Sequence, residues 1–285
     1  MRRWWLLCLA STLGASEPIR LHYIPNAPVE VISQLELEID NALPGFKLDA
    51  RGGQTVQAIL SVQGDQTGLP IDHPPFQLLF TFKNIQVDLL ANHVRTGFST
   101  AHPSTSLQLA QANRLIDRPL LLQFDAQGGL MQNDELQKLF AELPLLKQIG
   151  LNAFLAELFQ PFTAIFGRDL SVGDKFQFSQ PKGFVPQVNY EIIAIDDDVV
   201  EAKFSGQIES KIPLEGETQS DPMLSLSGAM EGHVSWSRHN ALDCTVEALY
   251  VYSGVLSMGD SSWALNYNLK HTLSKSEVPE ASPIR

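Results

Sequence analysis

The sequence predicts a mainly β, α+β protein: a large curved antiparallel sheet, or open half-barrel, with a central helix pair packed on its concave face. Three observations carry this expectation. Apolar and polar residues alternate with period two over most of the 285 residues, which is the pattern of strands with one wet face. Short turn signals separate the alternating runs. Helical periodicity is confined to one stretch, Asp134 to Phe166, and eight of the fifteen Phe residues fall between Phe140 and Phe184. A parallel α/β sheet is excluded, because its strands would be apolar on both faces.

The chain opens with two basic residues, Arg2 and Arg3, an apolar run from Trp4, and small residues ahead of Glu17. This is the layout of a secretory signal peptide, residues 1–16, too short to span a bilayer as a mature helix. An extracytoplasmic protein, periplasmic or secreted, is expected. Cys8 is a poor lipidation site because Leu7 stands where a small residue is needed. Without that segment Cys244 is the only cysteine, so no intramolecular disulfide is available and the core must hold the fold. Subtracting the charges of Arg2 and Arg3 takes the net charge from −12 to −14. Such a balance argues against nucleic acid as a partner and against electrostatic attachment to anionic lipid heads.

A single β-rich domain, 17–273, is expected to follow, with a helical insertion at 133–167 and a flexible tail at 274–285. Val29, Val31, Leu35, Leu37 and Ile39 share one parity and Glu30, Gln34, Glu36, Glu38 and Asp40 the other. Val56, Ala58, Leu60 and Val62 make a second strand. In the third, Phe76 to Phe82 slip in parity to Ile85, Val87 and Leu89, which predicts a bulge near Lys83 and Asn84. Ala101 to Asp117 reads as a loop with room for one helical turn. A strand, Pro119 to Asp125, and a Gln127-Gly128-Gly129 turn lead into the helices. The first, Asp134 to Leu143, buries Leu136, Phe140 and Leu143. The second, Leu145 to Phe166, repeats Leu151, Phe154, Leu155, Leu158, Phe162 and Ile165 at helical spacing. Its polar remainder is narrow, so it is covered on several sides or lies over an apolar opening. Strands return from Leu170, and after the Asp196-Asp197-Asp198 turn Val200 to Glu209 alternate cleanly. The runs Leu224 to Trp236, Leu242 to Tyr250 and Trp263 to Leu269 complete the sheet.

No catalytic or metal-ligating set emerges, and neither a cofactor nor an enzymatic activity is expected. The seven histidines lack ligand spacing, with His233 on a wet face and His271 on an apolar face near a strand end. Gly259-Asp-Ser-Ser262 and His271 echo a hydrolase motif, with Ser261 or Ser262 as nucleophile. That motif belongs at a strand-to-helix turn of an α/β fold. Gly228 and Gly232 lie on the apolar face of an interior strand, where glycine admits a close neighbour. The glycines mark an aromatic ring from the next strand, a bend in the sheet, or the floor of a lipid-sized cavity. Cys244 reads as a small buried apolar residue with an inert thiol.

The residues Phe124-Asp-Ala-Gln-Gly-Gly-Leu130 and Leu170-Ser-Val-Gly-Asp-Lys-Phe176, followed by hairpins, resemble a family of secreted bacterial β-rich proteins with no established activity. The resemblance covers Pro119 to Gly254. Here Gly167-Arg168 replaces the Leu-Pro that the family carries, and Phe176 its Trp. More loosely, the plan resembles the half-barrel lipoprotein carriers of the bacterial envelope, which implies an acyl site between sheet and helical lid. The expected function is therefore non-enzymatic binding of a lipid, or of the acyl chain of a lipoprotein, by Phe154, Leu158, Phe162, Gly228, Gly232 and Trp236. The alternative is a structural or interaction module with a filled core and an envelope protein as partner.

Overall fold

The computed structural model describes residues 18–21, 28–43, 46–61, 76–101, 113–125, 130–131, 138, 142, 151–179, 185–213, 223–258 and 261–277. Long strands dominate: β2 (Val29–Leu43), β3 (Phe46–Ser61), β4 (Phe76–Ala91), β11 (Val199–Pro213), β12 (Met223–Ser237), β13 (Cys244–Met258) and β14 (Ser261–Glu277). Shorter ones are β1 (Ile19–Arg20), β5 (Val94–Ser99), β6 (Pro119–Phe124), β7 (Leu130–Met131), β8 (Asp169–Leu170), β9 (Lys175–Ser179) and β10 (Gln187–Ile195). Twelve form one sheet in the order β7-β6-β4-β3-β2-β14-β13-β12-β11-β10-β9, with β5 on β4, and β1 pairs β8 apart from it. Most neighbours are hairpins, but at the centre the first and last long strands meet, β2 on β14. The bulge falls where the parity slips: Gln57 opposes Asn84 while Ala58 opposes Phe82, leaving Lys83 over.

One helix, α1 (Leu151–Thr163), is described. The first member of the expected helix pair, Asp134 to Leu143, lies outside the described residues except for Lys138 and Glu142, both helical. The second helix is corrected at its end, which falls at Thr163 rather than Phe166. The chain leaves through Gly167, at φ 64°, the left-handed conformation that glycine tolerates at a helix end. The Arg168 guanidinium then turns back to donate to the Ala164 carbonyl at 2.8 Å. No helix among the described residues is long and apolar enough to cross a membrane.

Contacts of α1 require the sheet to curl. Phe159 meets Phe124 of β6 at 5.1 Å and Phe80 of β4 at 6.3 Å between ring centroids. The neighbouring Gln160 amide donates to the Tyr190 hydroxyl of β10 at 3.4 Å. Strands β6 and β10 are eight positions apart in the sheet order, about 38 Å if flat at ~4.8 Å per strand. A helix only ~10 Å across reaches both because the sheet rolls around it. The polar remainder of the helix is narrow for the same reason: Gln160, Pro161 and Thr163 are buried along with Phe159 and Phe162.

Two further expectations are corrected. Ser274 to Glu277 belong to β14 rather than to a loose tail, held by pairing with Val29 to Ile32. The outer face is not wet throughout, since β13 exposes Leu249, Val251 and Val255 there at 42, 51 and 43%.

Candidate functional site

Along the inner face the residues fall into cross-strand rows set by the registers of β11 to β14, β2 and β3. The row beneath α1 reads Val200, Trp236, Cys244, Lys275, Val31 and Ala58, all buried. This end is filled by helix side chains and by rings: Phe80, Phe82, Phe124, Phe159, Phe162 and Trp236 are each among the fully buried. Two polar groups of the sheet reach helix carbonyls. The Trp236 indole N–H donates to Pro161 at 3.1 Å, and the Lys275 ammonium donates to Leu158 at 2.7 Å.

Farther from α1 the inner face opens. On β2 Val29, Val31 and Ser33 are buried, whereas Leu35, Leu37 and Ile39 are half-buried. Opposite them on β14 Leu269 and Tyr267 are half-buried as well, and on the other side, beyond Gln54 and Gly52 of β3, so are Val87 and Leu89 of β4. Tyr252 and Tyr267 stack at 4.9 Å with 13° between planes, a flat aromatic plate beside Ile39. The result is an apolar trough stopped at one end by α1 and its packing.

The sequence-expected site residues divide between these regions. Leu158, Phe162 and Trp236 lie together in the filled end. Phe154 is in α1, but its side chain lies outside the described residues. Gly228 and Gly232 sit on β12 at the rows of Tyr252 and Ala248. A β-carbon at Gly232 would meet the Phe204 ring and the Glu247 carbonyl, and one at Gly228 would meet the Val251 carbonyl and the Cα and Cβ of Tyr252. The structure lays an aromatic ring over Gly232, one of the readings open to the sequence, whereas at Gly228 the close neighbour is strand backbone.

A feature not legible beforehand crosses the β2–β14 seam. Ser33 Oγ lies 3.0 Å from His271 Nε2, with both residues buried, 238 positions apart in sequence. Burial, and then the nearby Lys275 charge, push the His271 pKa down to about 4. Lys275 is itself 1% exposed and held low by burial, with its ammonium 5.1 Å from the centre of the Phe159 ring. A clue to both was available, since His271 and Lys275 share the parity of Leu269 and Leu273. The Cys244 thiol is raised by burial, which keeps it protonated and unreactive.

The residues of the hydrolase echo do not come together. His271 cannot serve Ser261 or Ser262, because Ser262 precedes it by nine residues on the same strand, ~30 Å at strand rise. Asp196 Oδ1 accepts the Asp198 and Val199 backbone N–H groups at 2.9 and 2.7 Å, so the acidic turn is a self-bonded hairpin. No metal-binding group of side chains occurs among the described residues. His233 is exposed on the outer face. There a groove of about 930 Å³ includes Lys175, Glu191, Lys203, Glu231 and Glu247. Glu191 bridges Lys203 at 3.2 Å and Lys175 at 3.5 Å, a solvated ladder of small energetic weight.

No family model and no curated protein matches the chain. The resemblance to the secreted β-rich family therefore rests on its quoted residues alone. Among solved structures the chain is similar to one described as "Lipid-protein interactions in lipovitellin", with 8% identity and a TM-score of 0.48, over 91% of this chain and 26% of that one. The chain thus spans about a quarter of that protein's length.

Proposed function

We propose that the protein is a non-enzymatic, extracytoplasmic carrier that binds a lipid or acyl chain in the trough beyond α1. The observation that carries this reading is the half-buried inner wall of Leu35, Leu37, Ile39, Tyr267 and Leu269. The wall continues the apolar face of the core past the point where the helix stops filling it. Covering it with an acyl chain removes apolar surface from water at about 25 cal/mol per Å². The ligand lies beside the filled end rather than between helix and sheet, and α1 acts as a plug instead of a lid.

The filled end favours a second reading, a structural or interaction module with an envelope protein as partner. The two separate on whether the wall is occupied. Native mass spectrometry of the protein purified from a Gram-negative periplasm, followed by solvent extraction, is expected to return near-stoichiometric single-chain lipid. A bare polypeptide mass with nothing extractable would favour the module.

A further inference from the structure

Three inward-facing polar side chains stand where the trough meets its plug. Ser33 on β2 is the last fully buried inner residue before half-buried Leu35, and His271 on β14 is directly opposite Leu35. Lys275 lies deeper, beneath α1. A structural role would give each polar atom a partner, since buried polar groups without one are costly. That is not what is found. The His271 ring makes one hydrogen bond among the described residues, to Ser33, and its Nδ1 makes none. Lys275 uses one of its three N–H donors, toward Leu158, and faces no carboxylate among the described residues.

The leftover capacity has a definite sign. If the Ser33 hydroxyl donates to Nε2, the proton of the neutral ring is on Nδ1 and that N–H is free. If Nε2–H donates to Oγ, the Ser33 hydroxyl is free. In either tautomer the pair keeps one spare donor. Lys275 adds two spare donors, and its charge is close enough to act on His271. A low-dielectric site holding donors and a cation that meets no counter-ion among the described residues is complementary to an anion. The wall leading from it, Leu35 to Ile39, runs ~14 Å without an inward charge and suits a hydrocarbon chain, with the polar Gln54 of β3 beside Leu35 at the end nearest His271.

We infer that Ser33, His271 and Lys275 form the head-group end of the trough, and that its ligand is a single-chain amphiphile with a carboxylate, a long-chain fatty acid. The carboxylate accepts the spare donor of the Ser33–His271 pair within the field of Lys275, while the chain lies along Leu35, Leu37, Leu269 and Tyr267. This inference rests on the carrier reading above.

The test compares hexadecanoate, hexadecanol and methyl hexadecanoate as competitors of an acyl fluorophore on lipid-stripped full-length protein. Hexadecanoate is expected to bind at least ~10-fold more tightly than the other two, the scale of one charge-assisted hydrogen bond. The double variant Ser33→Ala/His271→Leu should bring hexadecanoate down to the hexadecanol level and leave hexadecanol unchanged, which also reports on folding. Should that variant fail to fold, Ser33→Ala alone, which removes one oxygen, must still lower the hexadecanoate-to-hexadecanol ratio, and an unchanged ratio overturns the assignment. Equal binding of all three competitors by the wild-type protein overturns the head-group assignment and leaves the trough standing. Failure of every competitor to bind overturns the carrier reading together with it.

Discussion

A β-carbon on Gly232 would run into the Glu247 carbonyl and the edge of the Phe204 ring, so the residue is glycine because a neighbouring strand lays an aromatic across it. Gly232→Ala is therefore expected to cost about 1–3 kcal/mol, the range for overfilling a packed site, read from the denaturant midpoint. Unchanged stability would show that Phe204 does not depend on the gap. The sequence showed that something approaches Gly228 and Gly232 but not what, because a ring and a ligand ask the same of the backbone. His271 was assigned to an apolar face from alternation alone, yet its partner is 238 positions away and no local pattern announces it. Its folded pKa of about 4 lies below its ordinary 6.5, so between those pH values the unfolded chain binds the proton and the native one does not. Stability contributed by neutral His271 is therefore present above pH 6.5 and lost as pH falls toward 4. The loss is about 3 kcal/mol at ~1.4 kcal/mol per unit. Depressed carboxylates such as Glu191 and Asp196 add an acid sensitivity of the same sign. Unfolding at pH 4 and 7 in wild-type and His271→Leu proteins isolates the histidine, and equal slopes would refute the assignment.

At the scale of elements, α1 departs from an ordinary surface helix. Pro161 removes an N–H from its interior, and two carbonyls near the proline receive donors from the sheet: Lys275 at Leu158 and Trp236 at Pro161. Trp236→Phe keeps most of the ring volume but leaves the Pro161 carbonyl unpaired in a dry site. A loss of about 1–3 kcal/mol is expected, measured by equilibrium unfolding, while no loss would mean that the indole N–H is dispensable. Helical spacing located the apolar residues Leu155, Leu158 and Phe162 correctly. It did not locate the end of the helix, where Gly167 and the Arg168 side chain decide, nor could it separate a lid from a plug. The strands were more legible than the helix, because period two is strict: one slipped residue would turn a whole face outward. The exception in β13, with Leu249, Val251 and Val255 exposed on the outer face, shows that alternation marks inner positions better than it marks wet ones.

For the whole molecule, one short helix touching strands eight positions apart determines the architecture. Around α1 the rolled sheet has a dry, filled core. Beyond it the same apolar rows run on with no helix among the described residues to cover them, and the trough follows from that mismatch of lengths. Alternation gave the strand faces, but which rows the helix covers depends on pairing across the chain, including the β2–β14 seam, so the candidate site was only partly readable. The most direct measurement is equilibrium binding of an acyl fluorophore to the wild-type protein and to Leu37→Glu and Phe162→Leu. Leu37→Glu places a charge on the open wall and should weaken binding at least ~10-fold. Phe162→Leu, in the filled end, should lower stability while leaving affinity within about twofold. Binding that survives Leu37→Glu but is lost with Phe162→Leu would place the ligand between helix and sheet and contradict the account.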